Sequence, residues 1–421
     1  MWEQDAHIWH PFSYRTDAPV QRVVRGEGAY LVTESGQRIF DAISSWWVTL
    51  HGHAHPQLSA AVARQVHQLE QVIFAGFSHP PAVELVGGLR EVLDAHFAHF
   101  FFSDNGSTAI EVALKMLLQL HHNRGESRQV FLAFESAYHG DTFGAMSVSS
   151  RGVFTRPFDR QLFEVAFLPD PDTTPTGALL EALEAACSRH FVAGLIVEPL
   201  ILGAGGMTLS AADTLEALVR AAQARGVPVI FDEVFVGFGR TGRLFAHEHI
   251  QARPDILCLS KGLTGGYLPM GLTVCTEEIR AAFRGEKVRA FLHGHSFTGS
   301  PLACAAAVES LRLLRTPDCQ ARIAQLCHWQ AEGKARMAQL AGVQNVRQTG
   351  TVLALTLPAT GADATYLSSL GPRIYDYCLA QGVLIRPMGP VVYLVPPYVA
   401  TRADLELAWQ VMEGAIAQAL G

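Results

Sequence analysis

Several common features are missing from this sequence of 421 residues. No segment approaches 18 consecutive apolar residues, which excludes a membrane-spanning helix. The net charge of −7 offers no basic surface, so nucleic acid is not an expected partner. The N-terminus has no basic region followed by an apolar run, so no signal peptide is expected. The seven cysteines form no CxxC pair, which favours reduced thiols and a cytoplasmic location.

Two nucleotide-binding motifs and a clear metal motif are missing as well. The segment GAGGMT at 203–208 lacks the last glycine of G-x-G-x-x-G, and no G-x-x-x-x-G-K-[ST] occurs. In HGHAHP, the histidines His51, His53 and His55 alternate and would share a face of an extended segment. No companion cluster of carboxylates or cysteines completes a metal site. We therefore interpret this segment as a structural loop and expect no metal.

The sequence does contain apolar bursts that alternate with helical patterns. With 49 % hydrophobic and 17 % charged residues, it is typical of a compact enzyme or an oligomer. Continuous apolar runs separated by helices indicate an α/β fold with a mostly parallel sheet covered on both faces. We expect a large domain over residues 56–310. We also expect a smaller α+β domain built from residues 1–55 and 311–421. The predicted strands lie at 99–104, 129–135, 194–200, 227–234 and 255–261. One predicted helix has Ser107 as its N-cap, and another spans 208–225.

Lys261 is the only charged residue in CLSKGLTGGYLPMG at 258–271. It is either a turn lysine with its head in water or a nucleophilic amine with a lowered pKa. Asp232 closes another predicted strand, and the carboxyl ends of parallel strands share one edge. Gly106 and Ser107 open a helix whose N-terminus suits an anion. An amine, a carboxylate and a phosphate site are what pyridoxal phosphate requires.

These residues resemble the class III aminotransferases, which are fold-type I pyridoxal-phosphate enzymes. The resemblance covers nearly the whole chain. Its most specific segments are AYHGDTFGAMSVS (137–149), FDEVFVGFGRTGRLFAHEH (231–249), PDILCLSKGLTGGYLPMG (254–271) and HGHSFTGSPLACAAA (293–307).

The resemblance implies a role for each matching residue of the cofactor site. Lys261 would be the Schiff-base lysine and proton shuttle, and Asp232 would pair with the pyridinium. The other implied contacts are Gly106 and Ser107 with the phosphate, Tyr138 with the ring, and Ser296 with the phosphate of a neighbouring subunit. The role of Ser296 implies a homodimer with shared active sites.

Four further segments resemble the branch of the family that works in biotin biosynthesis. They are HIWHPF (7–12), DAISSWWVTLHGHAHPQL (41–58), YHGDTFGAMSV (138–148) and GVLIRPMGPVVYLVPPY (382–398). This implies ping-pong conversion of 8-amino-7-oxononanoate to 7,8-diaminononanoate, with S-adenosylmethionine as the expected amino donor. The implied substrate-binding residues are Arg386 for the acceptor carboxylate, Trp46 and Trp47 as pocket walls, Tyr393 as a polar contact, Tyr138, and Gly294 in the loop GHSF.

Two departures from this branch leave the donor open. Phe12 stands where tyrosine is common, and GHS at 294–296 stands where GPT is common. Lysine is therefore an alternative donor, and another class III ω-amine transaminase is an alternative enzyme. A non-catalytic, cofactor-binding dimer is an alternative of another class. Without the resemblance, Tyr138 could be a core residue, the tryptophans interface aromatics, and Arg386 a surface ion-pair residue.

Overall fold

The computed structural model describes residues 2–12, 20–361 and 365–420. Within them, the backbone forms sixteen strands in four sheets. The strands are β1 (Val23–Glu27), β2 (Tyr30–Thr33), β3 (Arg38–Asp41), β4 (Phe97–Ser103), β5 (Val130–Phe134), β6 (Val165–Leu168), β7 (Val192–Val197), β8 (Ile201–Leu202), β9 (Thr208–Leu209), β10 (Val229–Asp232), β11 (Ile256–Leu259), β12 (Gly271–Thr276), β13 (Gln344–Thr349), β14 (Val352–Thr356), β15 (Val383–Leu384) and β16 (Val391–Leu394).

The largest sheet has seven strands in the order β4-β12-β11-β10-β7-β5-β6. The pairs among β11, β10, β7, β5 and β6 are parallel, and β12 is antiparallel to both of its neighbours. Consecutive residues Ile230 and Phe231 of β10 are both fully buried and belong to two different cores. Both faces of the sheet are thus covered, which explains the continuous apolar runs. The predicted fold class is confirmed.

Eleven right-handed α-helices surround the sheets in the described part of the chain. They are Pro56–Val66, Pro80–Arg90, Gly106–Arg124, Phe143–Ser147, Thr176–Arg189, Ala212–Ala224, Glu277–Ala281, Pro301–Leu314, Pro317–Met337, Leu370–Ala380 and Arg402–Leu420. None of these described helices has the length and apolar character needed to cross a membrane.

Two details of the predicted helices are wrong. The N-cap of the helix Gly106–Arg124 is Asn105, because its side chain accepts the backbone N–H of Thr108. Ser107 instead lies in the first turn. The helix predicted at 208–225 begins only at Ala212, since residues 208 and 209 pair in a short antiparallel ribbon.

The two ends of the chain meet in the sheet of four strands. β1, β2 and β3 form an antiparallel meander, and β15 adds to it in parallel beside β3. β13, β14 and β16 form a second antiparallel sheet. A turn at Glu34 and Ser35 joins β2 to β3. The division of the chain at residues 55 and 310 remains a prediction.

Candidate active site

Asp232 and Lys261 meet at the carboxyl edge of the large sheet. Asp232 is the last residue of β10 and lies opposite Cys258 of its parallel neighbour β11. β11 ends at Leu259, and Lys261 follows at the start of a short 3-10 turn. Both side chains line one cavity of about 550 Å³. The structure therefore brings together the two charged residues that the sequence pattern assigns to the cofactor.

The surroundings of Lys261 favour the neutral amine. Burial lowers the pKa of Lys261, because desolvation disfavours the ammonium form, while the charges of Asp232 and Glu198 oppose this shift. Nζ lies 5.0 Å from the centroid of the Trp47 ring. The backbone φ of Lys261 is +42°, which residues other than glycine rarely adopt. A lowered pKa increases the fraction of free amine, which is the form that attacks a carbonyl group.

His139 orients the carboxylate of Asp232. Its Nδ1 lies 2.7 Å from Oδ2, and the backbone N–H of Val234 donates to Oδ1 at 3.0 Å. His139 is buried, and its own backbone N–H donates to Ser149 Oγ. Both carboxylate oxygens are thus held in place. The sequence does not single out His139, although it directly follows Tyr138 in one of the most specific segments.

Glu198 is a second buried carboxylate that the sequence pattern does not reveal. It follows directly after β7, accepts the backbone N–H of Tyr138 at 3.1 Å and accepts that of Gly203 at 2.9 Å. Burial raises the pKa of Glu198 to about 7. The charge of His139 opposes this rise, and the charge of Asp232 adds to it. Glu198 therefore fixes the main chain of Tyr138, whose side chain lines the same cavity. A charged residue directly after a buried strand is the signal that could have found it.

Two glycines leave room at the start of the long helix beside the cavity. Gly106 is the first helical residue, and a Cβ placed there would lie 2.7 Å from Val234 Cγ1. At Gly140, φ is +132° and a Cβ would lie 2.1 Å from Ser107 Oγ. Asn105, Gly106 and Ser107 all line the cavity. Free backbone N–H groups and the positive end of the helix dipole make this space suitable for a phosphate.

A second cavity of about 680 Å³ continues from the first. The two share Trp47, Tyr138 and Lys261 among their lining residues. Arg386 lines the second cavity, with its guanidinium carbon 4.8 Å from the centroid of the Trp46 ring. Tyr393, another of the predicted substrate residues, is almost fully buried in the wall of this cavity. Lys261 and Arg386 are the two cationic side chains among the described residues that line it.

Trp46 and Trp47 lie on a left-handed turn. The φ angles of Ser44, Ser45, Trp46 and Trp47 are +52°, +44°, +74° and +74°. The turn carries helical hydrogen bonds, among them the N–H of Trp47 to the carbonyl of Ile43 at 2.8 Å. A left-handed conformation costs about 1–2 kcal/mol for each residue other than glycine. The surrounding structure must therefore stabilise this turn.

Gly294 and Ser296 lie apart from both cavities of their own chain. Both residues are exposed, and neither belongs to the cavity linings of the described residues. The carbonyl oxygen of Ser296 accepts a hydrogen bond from Gln71 Nε2 at 2.5 Å. The contact of Ser296 with a neighbouring subunit and the contact of Gly294 with substrate remain predictions.

The histidines of HGHAHP have separate partners. His51 Nε2 lies 3.2 Å from Ser310 Oγ, and His53 Nε2 lies 2.8 Å from Asp41 Oδ2. The His55 ring lies 6.1 Å from that of His51. In the described ranges, no three or more histidine, cysteine, aspartate or glutamate side chains are grouped as ligands for one metal ion.

The residues of the first cavity fit pyridoxal phosphate. It offers an amine on Lys261, an oriented carboxylate on Asp232, and a helix N-terminus kept open by glycine, which match the aldehyde, the ring nitrogen and the phosphate of that cofactor. The fold and this cavity are those of an α/β enzyme that uses a phosphate-bearing cofactor.

Comparisons with known proteins identify the family. The model of the class III aminotransferases matches residues 13–416. The adenosylmethionine-8-amino-7-oxononanoate aminotransferase of Synechococcus elongatus is 46 % identical over 410 residues, which cover 95 % of this chain and 96 % of that protein. This chain therefore belongs to the class III aminotransferase family, and the predicted family is confirmed.

Solved structures agree with this assignment. The crystal structure of the adenosylmethionine-8-amino-7-oxononanoate aminotransferase from Methanocaldococcus jannaschii has a TM-score of 0.93 at 30 % identity, covering 99 % of this chain and 98 % of that one. The PLP-bound amine transaminase of an uncultivated Pseudomonas species has a TM-score of 0.91 at 31 % identity, covering 98 % of both chains.

Proposed function

We propose that this chain transfers an amino group to 8-amino-7-oxononanoate to form 7,8-diaminononanoate in biotin biosynthesis, with pyridoxal phosphate as cofactor. The observation that carries this proposal is the continuous cavity that contains both Lys261 and Arg386. The acceptor has a keto group near one end of an apolar chain and a carboxylate at the other. A reactive lysine and a guanidinium that share an aromatic cavity suit these two groups.

Five residues of one chain would hold the cofactor, with Ser296 reaching the phosphate from the neighbouring subunit. Lys261 would attach it, Asp232 would pair with its ring nitrogen, and Tyr138 would lie against its ring. Gly106 and Ser107 would bind its phosphate at the helix N-terminus. The bound cofactor supplies an electron sink, which stabilises the negative charge left when a proton is removed from the donor carbon.

Lys261 then acts as the base. In the first half of the reaction, the free Nζ of Lys261 would take the proton from the α-carbon of the bound donor. The lowered pKa of Lys261 supports this role, because a neutral amine is required. Asp232 keeps its orientation through His139 while the charge develops. Hydrolysis by one water would release the donor as a keto product. In the second half, Nζ of Lys261 would deliver a proton to the keto carbon of the acceptor as that carbon gains the amino group and its oxygen leaves as water.

Arg386 recognises the carboxylate of the acceptor. A guanidinium offers two parallel N–H groups to a carboxylate, and Trp46 packs against its face. Trp47 packs on Phe235 with 4.4 Å between ring centroids and extends the apolar wall toward Lys261. Tyr393 contributes a polar contact in the same wall.

S-adenosylmethionine is the donor that we propose. Phe12 lines the second cavity, and its ring lies 5.1 Å from that of Trp46 and 6.2 Å from that of Phe154. A phenylalanine there removes one hydroxyl that a polar donor could use, which is worth about 0.5–1.5 kcal/mol. This difference is too small to exclude S-adenosylmethionine, and it makes lysine the donor to test beside it.

We also propose that the enzyme is a cytoplasmic homodimer. Exposed apolar side chains cluster near Ser296: Ile73, Phe77, Leu292 and Phe297 are each more than 60 % exposed. The segments that carry them are joined by the hydrogen bond from Gln71 to Ser296. A polar loop within such a patch is typical of a surface between subunits. All seven cysteines are free, which suits a reducing compartment. Sedimentation equilibrium should give twice the chain mass of 45.7 kDa.

A half-reaction titration tests the proposed function. The cofactor-loaded protein would be mixed separately with S-adenosylmethionine, lysine and ornithine while the visible absorbance of the bound cofactor is followed. 8-amino-7-oxononanoate would then be added to each bleached sample. Bleaching by S-adenosylmethionine and recovery with 8-amino-7-oxononanoate is the expected result.

Other results would change the proposal in defined ways. Bleaching by lysine alone would keep the acceptor and change the donor. Bleaching without recovery by 8-amino-7-oxononanoate would contradict the proposed acceptor and leave an amine transaminase with another substrate. The Lys261→Ala protein serves as the control, since it should show neither bleaching nor recovery.

A further inference from the structure

The left-handed turn Ser44–Trp47 connects two parts of the candidate site. The Trp46 ring faces the guanidinium of Arg386, while the Trp47 ring faces Nζ of Lys261. The conformation of one four-residue turn therefore sets the position of both rings. Since none of its residues is a glycine, the turn needs partners that hold it.

Asp41 is the side chain that holds this turn. It is the last residue of β3 and is fully buried. Its Oδ1 accepts the backbone N–H of Ser45 at 2.9 Å, and its Oδ2 accepts the Ser45 hydroxyl at 2.7 Å. Two of its hydrogen bonds thus fix the second residue of the turn, directly before Trp46.

His53 orients Asp41 from the other side. Its Nε2 lies 2.8 Å from Oδ2 of Asp41. The main chain of His53 is itself fixed, because it exchanges two backbone hydrogen bonds with Gly28. At Gly26, an added Cβ would lie only 2.4 Å from His53 Cβ, so the first hairpin packs directly against this histidine. His53 thereby links the hairpin of β1 and β2 to the turn.

Other contacts hold only the ends of the turn. Ser44 Oγ donates to the carbonyl of Val395 at 2.7 Å. Arg240, which is buried, donates to the carbonyl of Trp47 at 3.2 Å. Neither contact reaches Ser45, the residue directly before Trp46. The hydrogen bonds that hold Ser45 come from Asp41.

We propose that Asp41 and His53 form a positioning pair that sets the orientation of Trp46 and Trp47 and thereby the fit of the acceptor. This inference rests on the proposed function for the identity of the acceptor only. It gives His53 of the HGHAHP segment a role in the site. Neither residue lines either of the two cavities described above, so both act through the turn.

Fluorine NMR on cofactor-free protein labelled with 5-fluorotryptophan tests the positioning directly. The sequence has six tryptophans, and Trp46→Phe and Trp47→Phe would assign the two resonances. In His53→Phe, both resonances should shift or broaden while the other four stay in place. His53→Gln, whose amide can donate to Asp41 in place of the imidazole, should restore the wild-type positions. Ser45→Ala removes a single hydrogen bond and should move the same two resonances by less.

Kinetics provide the second measurement. His53→Phe should raise the KM for 8-amino-7-oxononanoate about tenfold with a smaller change in kcat, because a misplaced wall weakens substrate positioning. The matched control is His99→Phe, which breaks a histidine–carboxylate pair with Glu277 outside both cavities and should leave KM and the resonances unchanged.

Two different failures can be told apart. If the Trp46 and Trp47 resonances keep their wild-type positions in both His53→Phe and Ser45→Ala, the pair has no positioning role and the proposal is overturned, whatever the loss of thermal stability. If wild-type protein does not use 8-amino-7-oxononanoate, the proposed function fails, and the resonances still decide the role of Asp41 and His53. Should His53→Phe not fold, Ser45→Ala alone decides it.

Discussion

Replacing His51 with asparagine should change how the stability of this protein depends on pH. His51 is only 5 % exposed, and burial lowers its pKa from 6.5 to about 4. The electrostatic effects of His55 and Arg240 add to this shift. The hydrogen bond with Ser310 and the charge of Glu309 oppose it. Because the folded protein keeps His51 neutral, the unfolded chain binds one more proton between these two pH values. Stability contributed by His51 is therefore complete above pH 6.5 and is lost as the pH falls toward 4.

The size of this effect follows from the two pKa values. A pKa of about 4 in the folded state and 6.5 in the unfolded state corresponds to a loss of about 2 kcal/mol at pH 5 and almost none at pH 7.5. For a chain of 421 residues, 2 kcal/mol corresponds to about 2 °C in the midpoint of thermal unfolding. Asparagine at this position does not titrate, so the variant escapes the loss.

Differential scanning calorimetry of cofactor-free protein at pH 7.5 and pH 5 would measure the effect. His51→Asn loses packing and its contact with Ser310 at both pH values, so only the change in the difference from wild type is diagnostic. The difference in unfolding midpoint between wild type and His51→Asn should be about 2 °C smaller at pH 5 than at pH 7.5. His67→Asn, at an exposed histidine, is the matched control and should show the same difference at both pH values. A pH-independent difference for His51→Asn would refute the buried neutral imidazole.

Three further predictions concern the site. Lys261→Ala should abolish turnover with little change in thermal unfolding, and persistence of both half-reactions would show that another residue is the base. Arg386→Ala should lower kcat/KM for 8-amino-7-oxononanoate about 10- to 150-fold in single-turnover assays, with a smaller loss for the donor; equal losses would argue against a carboxylate contact specific to the acceptor. Gly140→Ala should weaken binding of pyridoxal phosphate to cofactor-free protein about tenfold or more, because its Cβ meets Ser107, whereas Gly87→Ala, where a Cβ meets nothing within 4 Å, should bind normally.

The sequence predicts the large sheet, and the edge where Asp232 and Lys261 meet, for a local reason. Buried strands such as β7, β10 and β11 are continuous apolar runs, and charged residues at their ends stand out against them. Asp232 and Lys261 are such residues, and parallel pairing of β10 and β11 brings them to one edge. The antiparallel strand β12 is not predicted, because its neighbours in the sheet are β4 and β11 and only one of them is close in sequence.

Long-range contacts account for most of what the sequence does not reveal in the site. His139 reaches Asp232 across 93 positions of the chain, and no local pattern encodes such a pair. The left-handed turn is similar, since four non-glycine residues adopt positive φ only because buried partners hold them. The N-cap is Asn105 and not the predicted Ser107. Both residue types can cap a helix, so the sequence does not distinguish them and only the backbone geometry does.

Burial shifts the pKa values of the amine and of a carboxyl group in the first cavity in opposite directions, and both shifts suit the proposed chemistry. It lowers the pKa of Lys261 and raises that of Glu198 to about 7, because in each case the charged form is the one that loses hydration. The cavity therefore favours a neutral amine beside a carboxyl group that can keep its proton near neutral pH. Asp232 differs from Glu198 in its surroundings, because a histidine side chain and a backbone N–H hold its two oxygens. The two carboxyl groups thus differ in that only Asp232 is bonded by a histidine side chain, and in the proposed function this carboxyl group pairs with the ring nitrogen of the cofactor.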